Sequence, residues 1–150
     1  MTPRRLVYVD TSLLAKRYLR EPDSTTTIGF LKSVVIATSS IAILELTAAL
    51  HAANRSRSLS PARLQAALRV MASDCLGWYR LNVSGSVIEK ARDIVSAYPL
   101  RSIDAIHCAS GLILNDAQRA TVPFATSDRR QRFAASALGL ECLEVTAPAD

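Results

Sequence analysis

Short apolar runs recur along this chain, and longer stretches with helical spacing of apolar residues separate them. The runs lack a regular alternation of apolar and polar residues, as expected for strands covered on both faces. Five of them have strand length: Leu6–Asp10, Val34–Thr38, Tyr79–Val83, Val122–Thr126 and Cys142–Thr146. A sheet buried between helices is therefore predicted.

The stretches between the runs carry helix start and stop signals. Ser60 and Pro61 predict a helix to about Asp74, and the capping box Ser86–Glu89 predicts one that ends before Pro99. Further signals are a cap at Ser39 or Ser40 for a helix to about Arg55, a cap at Ser102 for a helix to about Asn115, and a stop at Gly139. Strands that alternate with helices predict one α/β domain over residues 1–150, a three-layer α/β/α sandwich with a mainly parallel five-stranded sheet.

Two of the apolar runs are associated with the same pattern, an aspartate next to a threonine and a serine. Asp10 ends the first run before Thr11 and Ser12, and Asp128 follows Thr126 and Ser127. Both have the position of a helix cap, which is an alternative to a functional role.

Two further acids lie in helical segments. Glu45 is the only charged residue between Lys32 and Arg55, and Asp104 lies in the first turn of its helix. Glu45 on a narrow exposed stripe, or Asp104 as a favourable anion at a helix start, would explain them without function. A buried lone carboxylate, however, needs a partner or a metal.

All four acids map to the edge of the sheet where its strands end, which is where open α/β sheets bind ligands. Carboxylates that converge there repel one another, and a hard divalent cation relieves that repulsion. Mg²⁺ or Mn²⁺ prefers oxygen ligands and suits such a site. The expected chemistry is hydrolysis of a phosphodiester by metal-activated water.

Charge supports a polyanionic partner. The chain has 18 basic and 13 acidic residues, a formal net charge of +5, and three lysines (Lys16, Lys32 and Lys90), so arginine dominates. Arginine suits phosphate oxygens. We expect no membrane span and no signal peptide, a cytoplasmic location, and reduced thiols at Cys75, Cys108 and Cys142.

Four segments, in order, resemble those of PIN-domain proteins, and most of all the VapC-type toxin ribonucleases of bacterial toxin–antitoxin pairs. They are "VYVDTSLLAKRYLREPDS", "SSIAILEL", "LRSIDAIHCAS" and "FATSDRRQRFAASALGLECLEV". The resemblance implies a metal-dependent endoribonuclease, an RNA substrate, a cognate antitoxin protein as partner, and a homodimer.

The resemblance also implies roles for individual residues. Asp10, Glu45, Asp104 and Asp128 match the family's acidic quartet, with Asp10 and Asp104 as the main metal ligands. The neighbouring hydroxyl residues would bond carboxylates or phosphate: Thr11, Ser12, Thr126 and Ser127. Three arginines are expected to contact RNA: Arg101, Arg129 and Arg130.

Other residues are expected to be structural. His107 lies three positions after Asp104 and is interpreted as a satisfied structural histidine, while Trp78 and Tyr79 are expected to pack in the core. Two other functions stay open. A haloacid dehalogenase-type phosphatase would need a second aspartate where Ser12 stands, and a non-catalytic RNA- or protein-binding module would keep the fold alone.

Overall fold

The computed structural model describes residues 3–145, in which five strands form one sheet with helices on both faces. The strands are β1 (Leu6–Val9), β2 (Val35–Ser39), β3 (Tyr79–Leu81), β4 (Phe124–Ala125) and β5 (Cys142–Leu143). Their order across the sheet is β3-β2-β1-β4-β5, and every pairing is parallel. The predicted α/β sandwich with a five-stranded parallel sheet is confirmed.

The helices of the described chain are α1 (Thr11–Leu14), α2 (Ser24–Ser33), α3 (Ile41–Arg55), α4 (Pro61–Cys75), α5 (Gly85–Ala97), α6 (Ser102–Gln118) and α7 (Arg129–Ala137). A 3₁₀ turn over Ala15–Arg17 follows α1. The predicted helices from Ser60–Pro61 and to Arg55 are present, and Gly139 stops α7 with a φ of +91°. The sequence pattern did not delimit α2.

Strand β1 separates two hydrophobic cores. Val7 and Val9 face the core that α1 to α4 cover, whereas Tyr8 faces the core that α5, α6 and α7 cover. All three side chains are fully buried. This explains why the run is apolar throughout, since each face of the strand lies against helices.

The observed strands differ from the predicted runs at their ends. Strand β1 stops before Asp10, which turns away to cap α1. Strand β4 begins at Phe124 because Pro123 has no N–H to give to a ladder. Strand β3 ends at Leu81, where the Ser84 amide bonds the Asn82 carbonyl. Strand β5 ends at Leu143, so the predicted run to Thr146 is too long, and Thr146 itself lies outside the described residues.

Three predicted caps also need correction. Helix α5 is capped by Ser84, whose Oγ accepts from the Val87 amide, and not by Ser86. Arg101 holds the N-cap position of α6, so Ser102 is already helical. Ser40 holds the N-cap position of α3 but makes no side-chain cap bond, and Ser39 Oγ accepts from Ile41 N instead.

Aromatic and sulfur side chains meet the expectations in part. Trp78 packs partly against the first core, but Tyr79 is half exposed on the edge strand β3, so its predicted core position is wrong. All three cysteines are free thiols. No helix within residues 3–145 has the length and apolar character to cross a bilayer.

Candidate active site

Parallel strands bring the four acids to one edge of the sheet. Asp10 directly follows β1, and Asp128 caps α7 shortly after β4. Helices that connect parallel strands run antiparallel to them, so α3 and α6 begin at the edge of the sheet where the strands end. Glu45 lies in the second turn of α3 and Asp104 in the first turn of α6.

Asp10 both caps α1 and faces the site. Its side chain is 3% exposed. One carboxylate oxygen, Oδ2, accepts from the Ser12 amide at 3.1 Å and lies 3.1 Å from the Thr126 hydroxyl. The other, Oδ1, accepts from Gln131 Nε2 at 3.3 Å. Capping and function are therefore compatible roles for this one residue.

Glu45 is held by a buried histidine and a hydroxyl. Its Oε1 accepts from Thr11 Oγ1 at 2.8 Å and lies 2.6 Å from His107 Nε2. Because Nε2 also lies 3.5 Å from Asp10 Oδ1, it carries the ring hydrogen and donates toward the carboxylates. His107 Nδ1 lies 2.8 Å from the Tyr8 hydroxyl.

His107 is therefore satisfied and fully buried, as expected, but its partners belong to the site. Burial lowers its pKa, while the hydrogen bond to Glu45 and the charge of Asp10 raise it, and the net shift is upward. His107 Nε2 lies against both Glu45 and Asp10, so the ring positions two acids of the site as well as filling the core. Its spacing of three from Asp104 was the available sequence signal.

Asp104 lies in a crowded negative environment. Burial raises the pKa of its carboxyl, Arg101 opposes that rise, and the charges of Asp10 and Asp128 add to it; the net shift is upward. Arg101 Nε donates to Asp104 Oδ2 at 3.0 Å. Asp10 and Asp128 are thus close enough to Asp104 for their charges to repel its carboxylate, and Arg101 partly compensates that repulsion.

A cavity of about 390 Å³ opens beside Asp104 and Asp128. Its lining comes from the α5–α6 loop, the start of α6 and the start of α7: Pro99, Leu100, Arg101, Asp104, Asp128, Arg129 and Arg130. Carboxylates and guanidinium groups together suit a phosphate group that is held with a cation. All three arginines expected to contact RNA line this cavity.

The described residues contain no group of three or more His, Cys, Asp or Glu side chains arranged to hold a metal ion. Asp104 is paired with Arg101, and Glu45 with His107. The donor set still fits Mg²⁺ or Mn²⁺, because these ions bind through one or two carboxylates and keep several waters. Burial raises the pKa of the Asp104 carboxyl, and the charges of Asp10 and Asp128 add to that rise; a bound cation would favour the ionised carboxylate against both effects.

The hydroxyl residues form a connected set behind the acids. Ser12 Oγ lies 3.1 Å from Thr126 Oγ1 and accepts from the Ser127 amide. Thr126 Oγ1 in turn accepts from the Asp128 amide at 3.1 Å. Thr11 and Thr126 touch carboxylates directly, whereas Ser127 contributes its backbone. This set fixes the ends of β1 and β4 to one another.

Gln131 is a site residue that the sequence reasoning missed. Its side chain is fully buried, and Nε2 lies 3.3 Å both from Asp10 Oδ1 and from the Asp104 carbonyl oxygen. It stands three residues after the cap Asp128, the position of a glutamine in a capping box, and this spacing was a signal that could have found it. Gln131 ties α7 to β1 and α6.

The structure resembles solved toxin–antitoxin proteins at low sequence identity. It superposes on FitAcB from Neisseria gonorrhoeae with a TM-score of 0.67 and 16% identity, over 92% of this chain and 96% of that one. The sarcin-ricin loop cleaving toxin VapC20 from Mycobacterium tuberculosis gives a TM-score of 0.62 and 18% identity, over 89% and 95%. A toxin–antitoxin complex from Klebsiella pneumoniae gives 0.58 and 16%, over 83% and 88%.

Likeness at this level of identity concerns the fold. No curated protein sequence matches this chain significantly. The family model of the PIN domain, however, matches residues 7–136. That match runs from β1 through α7 and includes all four acids, so this chain belongs to the PIN domain family.

Proposed function

We propose that this protein is a divalent-cation-dependent endoribonuclease and the toxin of a toxin–antitoxin pair. The observation that carries the proposal is the convergence of Asp10, Glu45, Asp104 and Asp128 on one sheet edge of a PIN-domain chain. The solved toxins named above share this fold. Family membership and Ser12 in place of a second aspartate argue against the phosphatase alternative.

In this proposal Asp10 and Asp104 would hold the cation, directly or through water, and Glu45 and Asp128 would support the cation or the substrate. When bound, Mg²⁺ or Mn²⁺ polarises the phosphodiester and lowers the pKa of a water. Gln131 keeps the Asp10 carboxylate aimed at the site.

The remaining side chains position acids and substrate. Thr11 and His107 fix Glu45 Oε1 from two sides, which leaves Oε2 for a water or the cation. Arg101, Arg129 and Arg130 line the cavity and would bind phosphate oxygens of the RNA.

RNA cleavage by the purified protein tests the proposal. We expect a labelled single-stranded RNA to be cut with Mg²⁺ or Mn²⁺ and left intact with EDTA, and DNA of the same sequence to be spared. A protein that binds this RNA but turns over none with any divalent cation is a non-catalytic module. Phosphate release from a phosphomonoester, with phosphate trapped on Asp10, would instead support the phosphatase.

The partner proposal is separate. We propose that a cognate antitoxin binds this chain and places a basic group, such as an arginine, against the acids. One solved structure with this fold, from Klebsiella pneumoniae, is a toxin–antitoxin complex. Co-purification with the product of the adjacent gene, and loss of RNA cleavage in that complex, are expected; full ribonuclease activity in the complex would contradict occlusion.

We also propose a homodimer as the working form. Light scattering on the purified chain should give twice the mass of 16.2 kDa. A monomeric mass at micromolar concentration would overturn this part and leave the chemistry untouched.

A further inference from the structure

A second cavity, of about 290 Å³, adjoins the one beside Asp104 and Asp128. The two share the residues of the α5–α6 loop and the α7 start, namely Pro99, Leu100, Arg129 and Arg130. The second cavity then continues to Tyr98 and Phe133 instead of to the acids. The two cavities therefore form one groove, with the acids at one end, Arg129 and Arg130 along its middle, and a mostly apolar lining at the aromatic end.

Phe133 has no structural reason to be aromatic. Its side chain is 73% exposed and belongs to neither hydrophobic core of the described residues, although it is the large apolar side chain that α7 exposes. Arg129 and Arg130 precede it by four and three positions, so the three side chains share one face of the helix. Exposing this ring to water costs free energy that a flat ligand would recover.

The basic middle of the groove indicates what that ligand is. Within residues 3–145 neither Arg129 nor Arg130 forms an ion pair with a carboxylate. Two free guanidinium groups between an acidic site and an aromatic ring match a chain that alternates phosphates with flat rings. Aromatic side chains beside a basic groove are how proteins hold single-stranded nucleic acid.

We propose that the cavity between Tyr98 and Phe133 is a base-binding subsite. An unstacked nucleobase of single-stranded RNA, next to the phosphate in the acidic cavity, stacks on Phe133 while Arg129 and Arg130 hold the connecting phosphates. The identity of the RNA rests on the proposed function. The subsite deepens it by naming the element that sets where the strand lies across the acids.

Binding without turnover tests the subsite directly. Fluorescence anisotropy of a short fluorescein-labelled single-stranded RNA in EDTA should show that Phe133→Ala binds on the order of tenfold more weakly than wild type, while Phe133→Trp binds within about threefold. Leu76→Ala is the matched control, since Leu76 is 84% exposed and lines neither cavity. Equal losses in Phe133→Ala and Leu76→Ala would overturn the proposal.

An abasic scan of the same RNA adds a second readout. Removing one base at a time should weaken wild-type binding at one position, and Phe133→Ala should lose nothing further at that position. With Mg²⁺ present, Phe133→Ala should also shift or blur the cleavage positions on a structured RNA. Equal abasic profiles for the two proteins, with a common sensitive position, would contradict stacking on Phe133.

Failure of the subsite can be told apart from failure of the proposed function. Base-dependent loss of binding in Phe133→Ala without RNA turnover by wild type would keep the subsite and reject the ribonuclease. RNA turnover by wild type, with RNA binding and cleavage unchanged in Phe133→Ala, would keep the ribonuclease and reject the subsite. Loss of antitoxin binding alone in Phe133→Ala would identify a protein-docking surface and overturn the proposal.

Discussion

His107 and Gln131 are two of the buried polar side chains that connect separate elements at the site. His107 joins α6 to Tyr8 of β1 and Glu45 of α3, and Gln131 joins α7 to Asp10. Both are fully buried. A buried polar group keeps its place only if its bonds are made, so these two residues fix the distance between acids that the sequence places far apart.

The first prediction concerns His107. His107→Leu leaves the Tyr8 hydroxyl and Glu45 without their ring partner, so it should lower the free energy of unfolding by about 1–3 kcal/mol and reduce RNA cleavage. His107→Gln places an amide N–H near the position of Nε2 and should recover cleavage more than stability, because it does not replace Nδ1.

Urea unfolding and initial cleavage rates measure the two effects. If His107 has a purely structural role, cleavage by both variants should fall only in proportion to the fraction of unfolded protein. Equal cleavage rates for folded His107→Leu and wild type would show that Glu45 needs no positioning.

The second prediction concerns Arg101 and Asp104. Burial raises the pKa of Asp104 and Arg101 opposes that rise, so Arg101→Ala should raise it further. Cleavage needs the carboxylate, so the loss of activity in acid should begin at higher pH in Arg101→Ala. NMR titration of the Asp104 carboxyl in metal-free protein and a pH–rate profile both measure the shift.

Arg69→Ala is the control, because Arg69 is exposed on α4 and has no contact with the site. A lowered Asp104 pKa in Arg101→Ala, or the same shift in the control, would contradict the stated electrostatics.

The residue scale also shows what the sequence could reveal. Asp10 and Asp128 were identifiable because each follows an apolar run, and a cap and a ligand occupy the same place. Glu45 stood out as a lone charge. The contact of His107 with Glu45 joins residues 62 positions apart and depends on how α3 and α6 pack, which no local pattern contains.

At the scale of elements, α6 packs closely on the sheet through a glycine. A Cβ on Gly111 would lie 3.0 Å from Cδ2 of Phe124 and 3.4 Å from Cδ1 of Leu140. The Phe124 ring is fully buried and stacks on Tyr8 with centroids 5.2 Å apart, so it has no room to move. Gly111 thereby sets how near the Asp104 end of α6 comes to β1.

The third prediction follows from this contact. Gly111→Ala gains helix propensity of about 1 kcal/mol, but overpacking against Phe124 costs about 1–3 kcal/mol, so the net change should be destabilising or near zero. Gly29→Ala in α2 meets nothing within 4 Å and should stabilise the protein by up to about 1 kcal/mol. Thermal or urea unfolding of both variants decides it, and stabilisation of equal size in the two would contradict close packing at Gly111.

Elements were predictable to different degrees. The helix from Pro61 had a cap and a first-turn proline, which are local, and its bounds were close. The ends of β3 and β4 were not, because they depend on a turn at Asn82 and on the missing N–H of Pro123 against a neighbouring strand. The cap of α5 is Ser84 and not the predicted Ser86, because two serines of equal capping propensity lie two positions apart and the sequence does not distinguish them.

At the scale of the whole molecule, the net charge of +5 draws a polyanion, but only a few arginines lie at the groove. In the proposed function the positive net charge of the protein attracts RNA from a distance, and the arginines at the groove bind its phosphates directly. The two contributions differ in their response to salt.

The fourth prediction uses that difference. The logarithm of the RNA association constant in EDTA should fall linearly with the logarithm of salt concentration. The double substitution Arg129→Ala with Arg130→Ala should reduce the magnitude of that slope by about 1.4, since each lost phosphate contact removes about 0.7. Phe133→Ala should weaken binding with the slope unchanged. A double variant with the wild-type slope would show that these arginines do not contact phosphate.

In the proposed function the four acids act as one cation-dependent site for RNA cleavage. The most direct measurement compares initial RNA cleavage rates of wild type, Asp10→Asn and Asp116→Asn, with Mg²⁺ and with EDTA; Asp116 is exposed near the far end of α6. We expect Mg²⁺-dependent cleavage by wild type and Asp116→Asn. Asp10→Asn should lose cleavage by at least about 100-fold, the scale of losing one key electrostatic group. Equal cleavage by Asp10→Asn and wild type, or cleavage that persists in EDTA, would contradict it.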